Sequence, residues 1–344
     1  MTGQKKKVSL KDIAAEAGVS TSLVSFVLNG KAKEHRVSKQ MTHRIEEIAV
    51  RMNYRPNATA KSLRTAVSRN IGVVVSDISN PFFAHIARHI ESEAESRGYT
   101  VHFASSDENA ERAEHLVDTL LYRGADGIIL VPCDGSEKTV GALVEKQVPL
   151  VLLDRGVESD VRTNIVCLNN RKAAYDVTMH LISEGFSSIG IIAYNMNVRN
   201  MAERVNGYCD AMNEAGLGEE IAVYPADHSD MSGSCSHAVD TLAAKGVQAV
   251  ILASNNITVE SLRHMQAAGI RVPEEMAVFG FDGGSAFDFF YSPLSYLEQP
   301  LEEMARLATG LLIDSIENRS KDMATIELEG TLNIRASSRN VRKA

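Results

Sequence analysis

Apolar residues recur at helical spacing three times near the N-terminus and predict three short helices. A serine precedes each one, at Ser9, Ser20 and Ser38, where its hydroxyl can cap the first turn. Gly18 ends the first helix, because glycine enters the left-handed backbone region at little cost. The inward-facing positions are Leu10, Ile13, Ala14 and Ala17, then Val24, Val27 and Leu28, and finally Ile45, Ile48, Ala49 and Met52. Two short helices joined by a tight turn predict a helix-turn-helix unit, and the third helix completes a small core.

Beyond Asn70, short apolar runs alternate with helical patterns. The runs predict strands at residues 71–76, 100–104, 127–131, 150–153, 189–193, 221–224, 249–253 and 276–280. Helical segments such as 82–97 and 112–123 lie between them. This alternation is typical of parallel sheets with helices on both faces, so we expect an all-α helix-turn-helix head joined to an α/β body.

The body contains a weak internal repeat. The sequence IGVV at residues 71–74 resembles IGII at 189–192, and DGIIL at 126–130 resembles QAVIL at 248–252. We therefore expect two doubly wound subdomains of similar build. A ligand cleft would lie between the carboxyl ends of their strands.

Charge is distributed unevenly along the chain. The formal net charge is -8, which by itself argues against a nucleic-acid partner. Residues 1–66 nevertheless contain thirteen Lys and Arg and five Asp and Glu, so the head carries about +8 and the remainder about -16. A basic head on an acidic body can neutralise phosphates at one end while the body repels DNA.

Composition and motifs exclude several other classes. The apolar runs are too short to span a bilayer, and Lys11, Asp12 and Glu16 interrupt any signal peptide, so we expect a cytoplasmic protein with no membrane partner. The four cysteines form no C-x-x-C pair. Phosphate-binding, dinucleotide-binding, nucleophile-elbow and zinc-protease motifs do not occur, so we expect no enzyme activity, cofactor or metal.

Two segments of the head resemble a known family. Residues 9–30 (SLKDIAAEAGVSTSLVSFVLNG) and residues 53–57 (NYRPN) are similar to the head of the lactose/galactose repressor (LacI/GalR) family. The body resembles the effector domain of that family, which has periplasmic-binding-protein type I architecture, and residues 332–337 resemble its closing strand. The resemblance covers nearly the whole chain and implies a transcription regulator, most simply a repressor.

The resemblance implies which head residues contact double-stranded operator DNA. The second helix would lie in the major groove, with Thr21, Ser22 and Phe26 at base edges. The residues placed to contact phosphates or to support them are Ser20, Ser25, Asn29, Ser38 and Thr42. The family often has Arg where this chain has Phe26, and a phenylalanine cannot make the bidentate guanine contact of an arginine. Phe26 either packs on thymine methyl groups or closes the core of the head.

Residues 57–64 resemble the hinge helix of the family. Asn57 would cap it, Ala60 would let two hinges approach, and Leu63 would wedge into the minor groove, with Arg64 ending the helix. A helix this short is marginal in isolation. The alternative is a plain linker with one exposed leucine.

Polar residues that follow predicted strands are the candidate effector contacts. Asp154, Arg204, Asn255 and Asp282 match positions where members of the family hold their ligand, and the set suits a carbohydrate. Asp154 and Arg155 could instead form a plain surface ion pair. Phe82 and Phe83, or Phe290 and Tyr291 from the other half, could stack on a sugar or belong to the core. The family commonly has carboxylates where Asn169 and Asn256 stand here, so an anionic effector would be better tolerated.

These inferences predict three regions: a head at 1–56, a hinge at 57–68, and an effector-binding and dimerisation domain at 69–344. Within the last, the N-subdomain would comprise about 69–166 and 299–326, and the C-subdomain about 167–298 and 327–344. One head reads half a palindrome, so we expect a homodimer. A transport-type binding protein would share the cleft but would need a signal peptide and lack the basic head.

Overall fold

The computed structural model describes residues 8–54, 67–158, 161–319 and 323–341. The chain divides into two compact units, Met1–Ser68 and Arg69–Ala344. The predicted hinge residues Asn57, Ala60, Leu63 and Arg64 lie outside the described residues.

The head contains the three predicted helices, α1 (Leu10–Ala17), α2 (Thr21–Leu28) and α3 (Lys39–Arg51). Ser9 caps α1 in a reciprocal capping box with Asp12, and Gly18 ends that helix at a φ of 71°. Ile13, Val24 and Ile45 are fully buried, one from each helix. The apolar pattern of each helix is thus accounted for by one shared core, and the prediction of a three-helix head is confirmed.

The body contains two six-stranded sheets. The first consists of β1 (Asn70–Val75), β2 (Thr100–Ser105), β3 (Gly127–Leu130), β4 (Leu150–Asp154), β5 (Asn164–Leu168) and β11 (Thr325–Leu328), in the order β11-β5-β4-β3-β1-β2. All its strand pairs are parallel. Its helices are α4 (Pro81–Ser96), α5 (Ala110–Tyr122), α6 (Glu137–Glu145) and α11 (Leu301–Ile316). We call this sheet with its helices the first lobe.

The second lobe repeats this order. Its strands are β6 (Ile189–Tyr194), β7 (Ala222–Ala226), β8 (Ala249–Leu252), β9 (Ala277–Phe281), β10 (Ser295–Glu298) and β12 (Thr331–Asn333), in the order β12-β10-β9-β8-β6-β7. Its helices are α7 (Asn170–Ser183), α8 (Arg199–Glu214), α9 (Met231–Ala244) and α10 (Asn255–Ala268). Only β12 breaks the likeness, since it runs antiparallel to β10. The internal repeat seen in the sequence therefore corresponds to β1 with β6 and β3 with β8.

The eight predicted strands are confirmed, and β5, β10 and β11 were not predicted. Central strands such as β3 and β9 are buried along their whole length because helices cover both faces. The edge strand β2 is largely exposed. In both sheets, most loops that leave the carboxyl ends of the parallel strands lead into helices, as in other doubly wound folds.

The chain passes between the lobes three times, after Leu168, after Glu298 and after Leu328. Two of these crossings are joined, because the backbone N–H of Asn169 donates to the carbonyl of Leu328 at 2.8 Å. Three short crossings restrict the relative motion of the lobes to bending about the crossing segments.

Helices α7 and α8 approach each other closely at Gly207. A Cβ at this position would lie 2.0 Å from the carbonyl oxygen of Arg171 and 3.0 Å from the backbone nitrogen of Tyr175. Both neighbours are backbone atoms of α7, so they cannot turn away as a side chain could. Glycine is required here by packing between helices and not by its backbone angles.

We expect Gly207→Ala to destabilise the body by roughly 1–3 kcal/mol, because the methyl group overpacks this contact. Gly141→Ala in α6 is the matched control, since a Cβ at Gly141 meets no atom within 4 Å. Alanine should stabilise that helix by up to about 1 kcal/mol. Urea unfolding followed by circular dichroism measures both effects. Equal midpoints for Gly207→Ala and wild type would contradict this account of the contact.

Candidate functional site

The outward face of α2 is the first candidate site. Thr21 and Ser22 are exposed at the start of the helix, just after its N-cap residue Ser20. The Ser20 hydroxyl accepts a hydrogen bond from the N–H of Leu23 at 3.2 Å, so its own proton is free to be donated elsewhere. The predicted base-contacting hydroxyls of Thr21 and Ser22 are therefore available to a partner.

The other predicted polar residues of the head form hydrogen bonds within α2 and at the start of α3, and each keeps donors or acceptors that can bind a partner. Asn29 donates to the carbonyl of Ser25 at 2.7 Å and to its hydroxyl at 3.2 Å. Ser38 caps α3, and Thr42 donates to the carbonyl of Ser38 at 3.0 Å. Asn29 and Ser38 are exposed, and Ser25 and Thr42 are half-buried.

Phe26 does not close the core of the head, which was one of the two roles considered for it, and its packing on thymine methyl groups stays a prediction. Its half-buried ring is absent from the core of the head, whose members come from the inner faces of the three helices. The ring stacks instead on His35, with the centroids 3.4 Å apart and the planes 12° from parallel. His35 belongs to the polar loop between α2 and α3, and no pattern in the sequence predicts this pairing.

Some basic side chains of the head form ion pairs within the head, and others do not. Arg51 pairs with Glu16 at 2.6 Å and so ties α3 to α1. Lys33, Arg36, Lys39 and Arg44 are exposed and form no ion pair within residues 8–54. These four side chains are free to contribute to the positive potential of the head.

The second candidate site is a cleft between the two lobes of the body. It is lined by the predicted residues Phe82, Phe83, Asp154, Arg204 and Asp282. Its volume is about 40 Å³, which leaves room for only a few water molecules. Residues that sequence reasoning missed also line it: Asp77, Glu108, Tyr194, Asn200, His228, Asn256 and Gln299.

Asp154 and Asp282 occupy equivalent places in the two lobes. Asp154 ends β4 and Asp282 directly follows β9, the corresponding strand of the second sheet. Both have left-handed backbone angles, with φ of 69° and 60°, which are uncommon for residues other than glycine. Strain of this kind is concentrated at functional sites.

Both carboxyl groups are buried, and burial raises the pKa of each above its usual value. Nearby guanidinium groups act in the opposite direction: Arg155 and Arg204 on the pKa of Asp154, and Arg204 on that of Asp282. Asp282 also accepts a 2.6 Å hydrogen bond from the amide of Gln299. The other side-chain atom of this amide, Oε1 of Gln299, is buried without a hydrogen-bond partner.

Arg204 is 1% exposed and is the largest fully buried side chain of the described residues. Its Nε donates to Asn170 at 2.8 Å and its Nη1 donates to the carbonyl of Ala253 at 2.5 Å. The guanidinium also lies 4.4 Å from the centre of the Phe281 ring. Burial lowers the pKa of Arg204, and Asp282 and Asp154 raise it in compensation.

Arg155 is buried, so Asp154 and Arg155 do not form the surface ion pair considered from the sequence. Its Nη2 donates to Glu108 at 2.7 Å and to Ser76 at 3.1 Å. Its Nε lies 3.4 Å from Asp154, but in a geometry that makes no hydrogen bond. Arg155 thus joins the ends of three strands of the first lobe.

Asn255 was predicted to contact the effector, and the structure corrects this. Its buried side chain donates to the carbonyl of Asp282 at 3.1 Å, so it shapes the loop after β9 and does not line the cleft. The next residue, Asn256, lines the cleft instead. Helix α10 begins here, and a shift of one position turns the side chain by about 100°.

Among the described residues, two side-chain hydrogen bonds join helices of the second lobe to the first lobe across the cleft. Asn200 of α8 donates to Asp154 at 3.0 Å, and Asn256 of α10 donates to Asp77 at 3.5 Å. Each joins a residue of the second lobe to one of the first. They hold the closed arrangement, and a ligand that occupied the cleft would have to replace them.

Ring contacts in the cleft come from both lobes. Phe82 and Phe83 meet edge to face at 4.9 Å, and Tyr194 and His228 lie 6.0 Å apart across from them. Phe290 and Tyr291, the alternative from the sequence, are absent from the lining and pack on each other at 4.6 Å.

The charge of the cleft does not favour the anionic effector expected from the two asparagines. Four carboxylates, Asp77, Glu108, Asp154 and Asp282, line it together with only two guanidinium groups, Arg155 and Arg204. Of the two asparagines, Asn169 caps α7 by accepting from the N–H of Lys172 at 3.0 Å and does not line the cleft. A neutral or amine-bearing ligand fits this charge better.

Two further features bear on other functions. Within the described ranges, no group of three His, Cys, Asp or Glu side chains could hold a metal ion. In the same part of the chain, we find no helix with the length and apolar character needed to cross a bilayer.

Comparison with known proteins places three family descriptions along the chain. Residues 9–57 match bacterial regulatory proteins of the lacI family. Residues 68–237 match the periplasmic binding proteins and sugar binding domain of the LacI family, and residues 178–338 match a periplasmic binding protein-like domain.

Similar proteins span almost the whole chain. The ribose operon repressor of Haemophilus influenzae is 29% identical over 96% of this chain and 98% of its own. The transcriptional repressor PurR of Aliivibrio fischeri is 29% identical with the same coverage. Among solved structures, a transcriptional regulator CelR–cellobiose complex is 26% identical with a TM-score of 0.70, over 96% of this chain and 100% of that one. The lac repressor dimer bound to operator shares the fold at 22% identity and a TM-score of 0.84, over 97% and 100%. With its helix-turn-helix head and its two-lobed binding-protein-like body, the chain belongs to the LacI family of bacterial transcription regulators.

Proposed function

We propose that this regulator binds a palindromic operator as a homodimer, represses transcription, and responds to a carbohydrate that occupies the interlobe cleft. The observation that carries the proposal is the pair of sites within one chain. An exposed polar helix face lies on a basic head, and a small polar cleft lies within the body.

The head supports readout of duplex DNA. A recognition helix in the major groove contacts base edges through its first residues, and in α2 these are Thr21 and Ser22. Their hydroxyl groups donate or accept, and the threonine methyl can meet a thymine methyl. Ser20, Ser25, Asn29, Ser38 and Thr42 would set the register through phosphates. The hinge assignments at Asn57, Ala60, Leu63 and Arg64 remain predictions.

The cleft suits a polyhydroxylated ligand. Asp154 and Asp282 approach from opposite lobes and can each accept from a pair of hydroxyl groups, while Arg204 can donate. Phe82 and Phe83 offer an apolar surface to the face of a sugar ring. The relatives named above include a ribose operon repressor and a regulator in complex with cellobiose, which agrees with this class of ligand.

Regulation would follow from the bonds that cross the cleft. A ligand must replace the hydrogen bonds between Asn200 and Asp154 and between Asn256 and Asp77. A ligand that is larger than the present 40 Å³ favours a different opening of the lobes. The effector thereby shifts the population of lobe arrangements, and through it the DNA affinity of the dimer.

We expect the double variant Thr21→Ala/Ser22→Ala to lose specific DNA binding by about tenfold or more, because two base contacts are removed. The operator would first be selected from a randomised palindromic library with the wild-type protein. Fluorescence anisotropy then gives the affinities. The salt dependence should not change, since neither residue carries charge.

Val50→Ala is the control for this variant, because Val50 is on α3 with its side chain 80% exposed and away from the core. An unchanged operator affinity for Thr21→Ala/Ser22→Ala would remove α2 from the proposed interface. Failure of the wild type to select any sequence would contradict the DNA-binding proposal itself.

We expect Asp154→Asn to stabilise the body at neutral pH but to weaken effector binding. Because the pKa of Asp154 is raised in the folded state, its ionised carboxylate destabilises the fold. The stability that the neutral carboxyl group provides is therefore lost as pH rises through the folded pKa. Asparagine does not ionise, so the variant avoids this loss of stability, and its side-chain oxygen can still accept the hydrogen bond from Asn200. The gain should vanish below the ordinary carboxyl pKa of 3.8.

Thermal unfolding between acid and neutral pH tests the first half of this prediction, with roughly 2–4 °C expected for each kcal/mol in a domain of about this size. A thermal-shift screen of neutral, acidic and amino sugars identifies a ligand, and calorimetry should then show about tenfold weaker binding by the variant. Asp118→Asn, an exposed change on α5, is the control. Equal ligand affinity would show that Asp154 does not contact the effector.

A further inference from the structure

The loop between α2 and α3 is folded back against the end of α2. The N–H of Lys31 donates to the carbonyl of Phe26 at 2.8 Å, and the N–H of Val37 donates to that of Ala32 at 2.8 Å. Arg36 takes a left-handed backbone angle, with φ of 54°, which reverses the chain before α3. These constraints bring His35 onto the ring of Phe26.

Phe26 lies on the outward face of α2. It follows Ser22 by four positions and precedes Asn29 by three, so the three side chains are neighbours on the helix surface. Ser22 and Asn29 are exposed. His35 therefore lies beside the residues through which α2 would contact DNA, although it belongs to a different segment of the chain.

The stack changes what this face can recognise. With ring centroids 3.4 Å apart and nearly parallel planes, His35 covers one face of Phe26, and that face cannot pack on a thymine methyl group. His35 itself is exposed, and its ring nitrogens form no hydrogen bond or ion pair within residues 8–54. A phenyl ring can neither donate nor accept a hydrogen bond, whereas an imidazole can.

We propose that His35, held flat on Phe26, is a base-reading residue of this regulator and selects guanine at one position of each operator half-site. The inference rests on the proposed DNA-binding function. Guanine presents two acceptors, N7 and O6, side by side in the major groove, whereas adenine presents one acceptor next to a donor. An imidazole N–H placed between these two atoms meets an acceptor on each side in guanine, but meets the N6 amino group on one side in adenine. Phe26 is the positioning residue, because it fixes the imidazole before DNA arrives and reduces the ordering cost of binding.

The test uses the full-length protein and an operator selected from a randomised palindromic library. Affinities are then measured for that operator and for every single-base change in it. The wild type should require guanine at one position of each half-site. His35→Ala should lose this preference, with about a fivefold or greater loss of affinity for the selected operator and unchanged preferences at the other positions.

Phe26→Leu should lose the same preference, because leucine keeps the residue apolar but removes the flat platform. The double variant Phe26→Leu/His35→Ala should be no worse than either single change, since both remove one unit. Phe26→Tyr keeps the aromatic ring and should retain the preference. His43→Ala is the matched control: His43 is another exposed histidine of the head, paired with Glu47 on α3.

Three results would overturn the proposal. A uniform loss of affinity for all sequences in His35→Ala would make His35 a phosphate contact only. A changed preference in Phe26→Leu with none in His35→Ala would mean that Phe26 reads the base itself. Unchanged preferences in both variants would leave the stack without a role in recognition. A wild type that selects no DNA contradicts instead the function on which the inference rests, so the two failures are distinguishable.

Discussion

Burying charge at the meeting point of the two lobes is the constraint around which the body is built. Asp154, Asp282 and Arg204 are each almost removed from solvent, and an isolated buried ion would cost far more than the fold could supply. Each is tolerated because opposite charges and amide groups lie beside it. Apolar residues of similar size would be as stable or more so in such a place, so the retention of these ions indicates a binding role.

This constraint also explains how the fold uses its repeated architecture. Asp154 and Asp282 stand at the carboxyl ends of equivalent strands in the two sheets, and both line one cleft. The resulting site is assembled from both lobes and is completed only when they meet. The head is stabilised differently. Its helices are short and depend on one shared core, and Thr21 and Ser22 on the outer face of α2 take no part in that core.

Elements whose burial produces a regular apolar pattern could be predicted from the sequence. The buried parallel strands β3, β8 and β9 are continuous apolar runs, whereas β5, β10 and β11 alternate less exposed with more exposed positions and contain no such run, so they were not predicted. Asp154, Arg204 and Asp282 were found because they follow strands or match a motif.

The residues that were missed depend on three-dimensional neighbours. Asn200 and Gln299 enter the cleft from a helix start and from a crossing segment, and no local pattern distinguishes them from surface amides. Asn255 and Asn256 differ by one position at a helix start, which a sequence cannot resolve. The stack of Phe26 on His35 requires a loop conformation that is set by backbone hydrogen bonds.

The contact at Gly207 has a mechanical consequence. Because the backbone of α8 rests directly on that of α7, no compressible side chain separates the two helices, and they move as one stiff block. Asn170, Asn200 and Arg204 all belong to this block. A displacement of any of these three side chains would therefore rotate both helices together, with little local deformation of either helix.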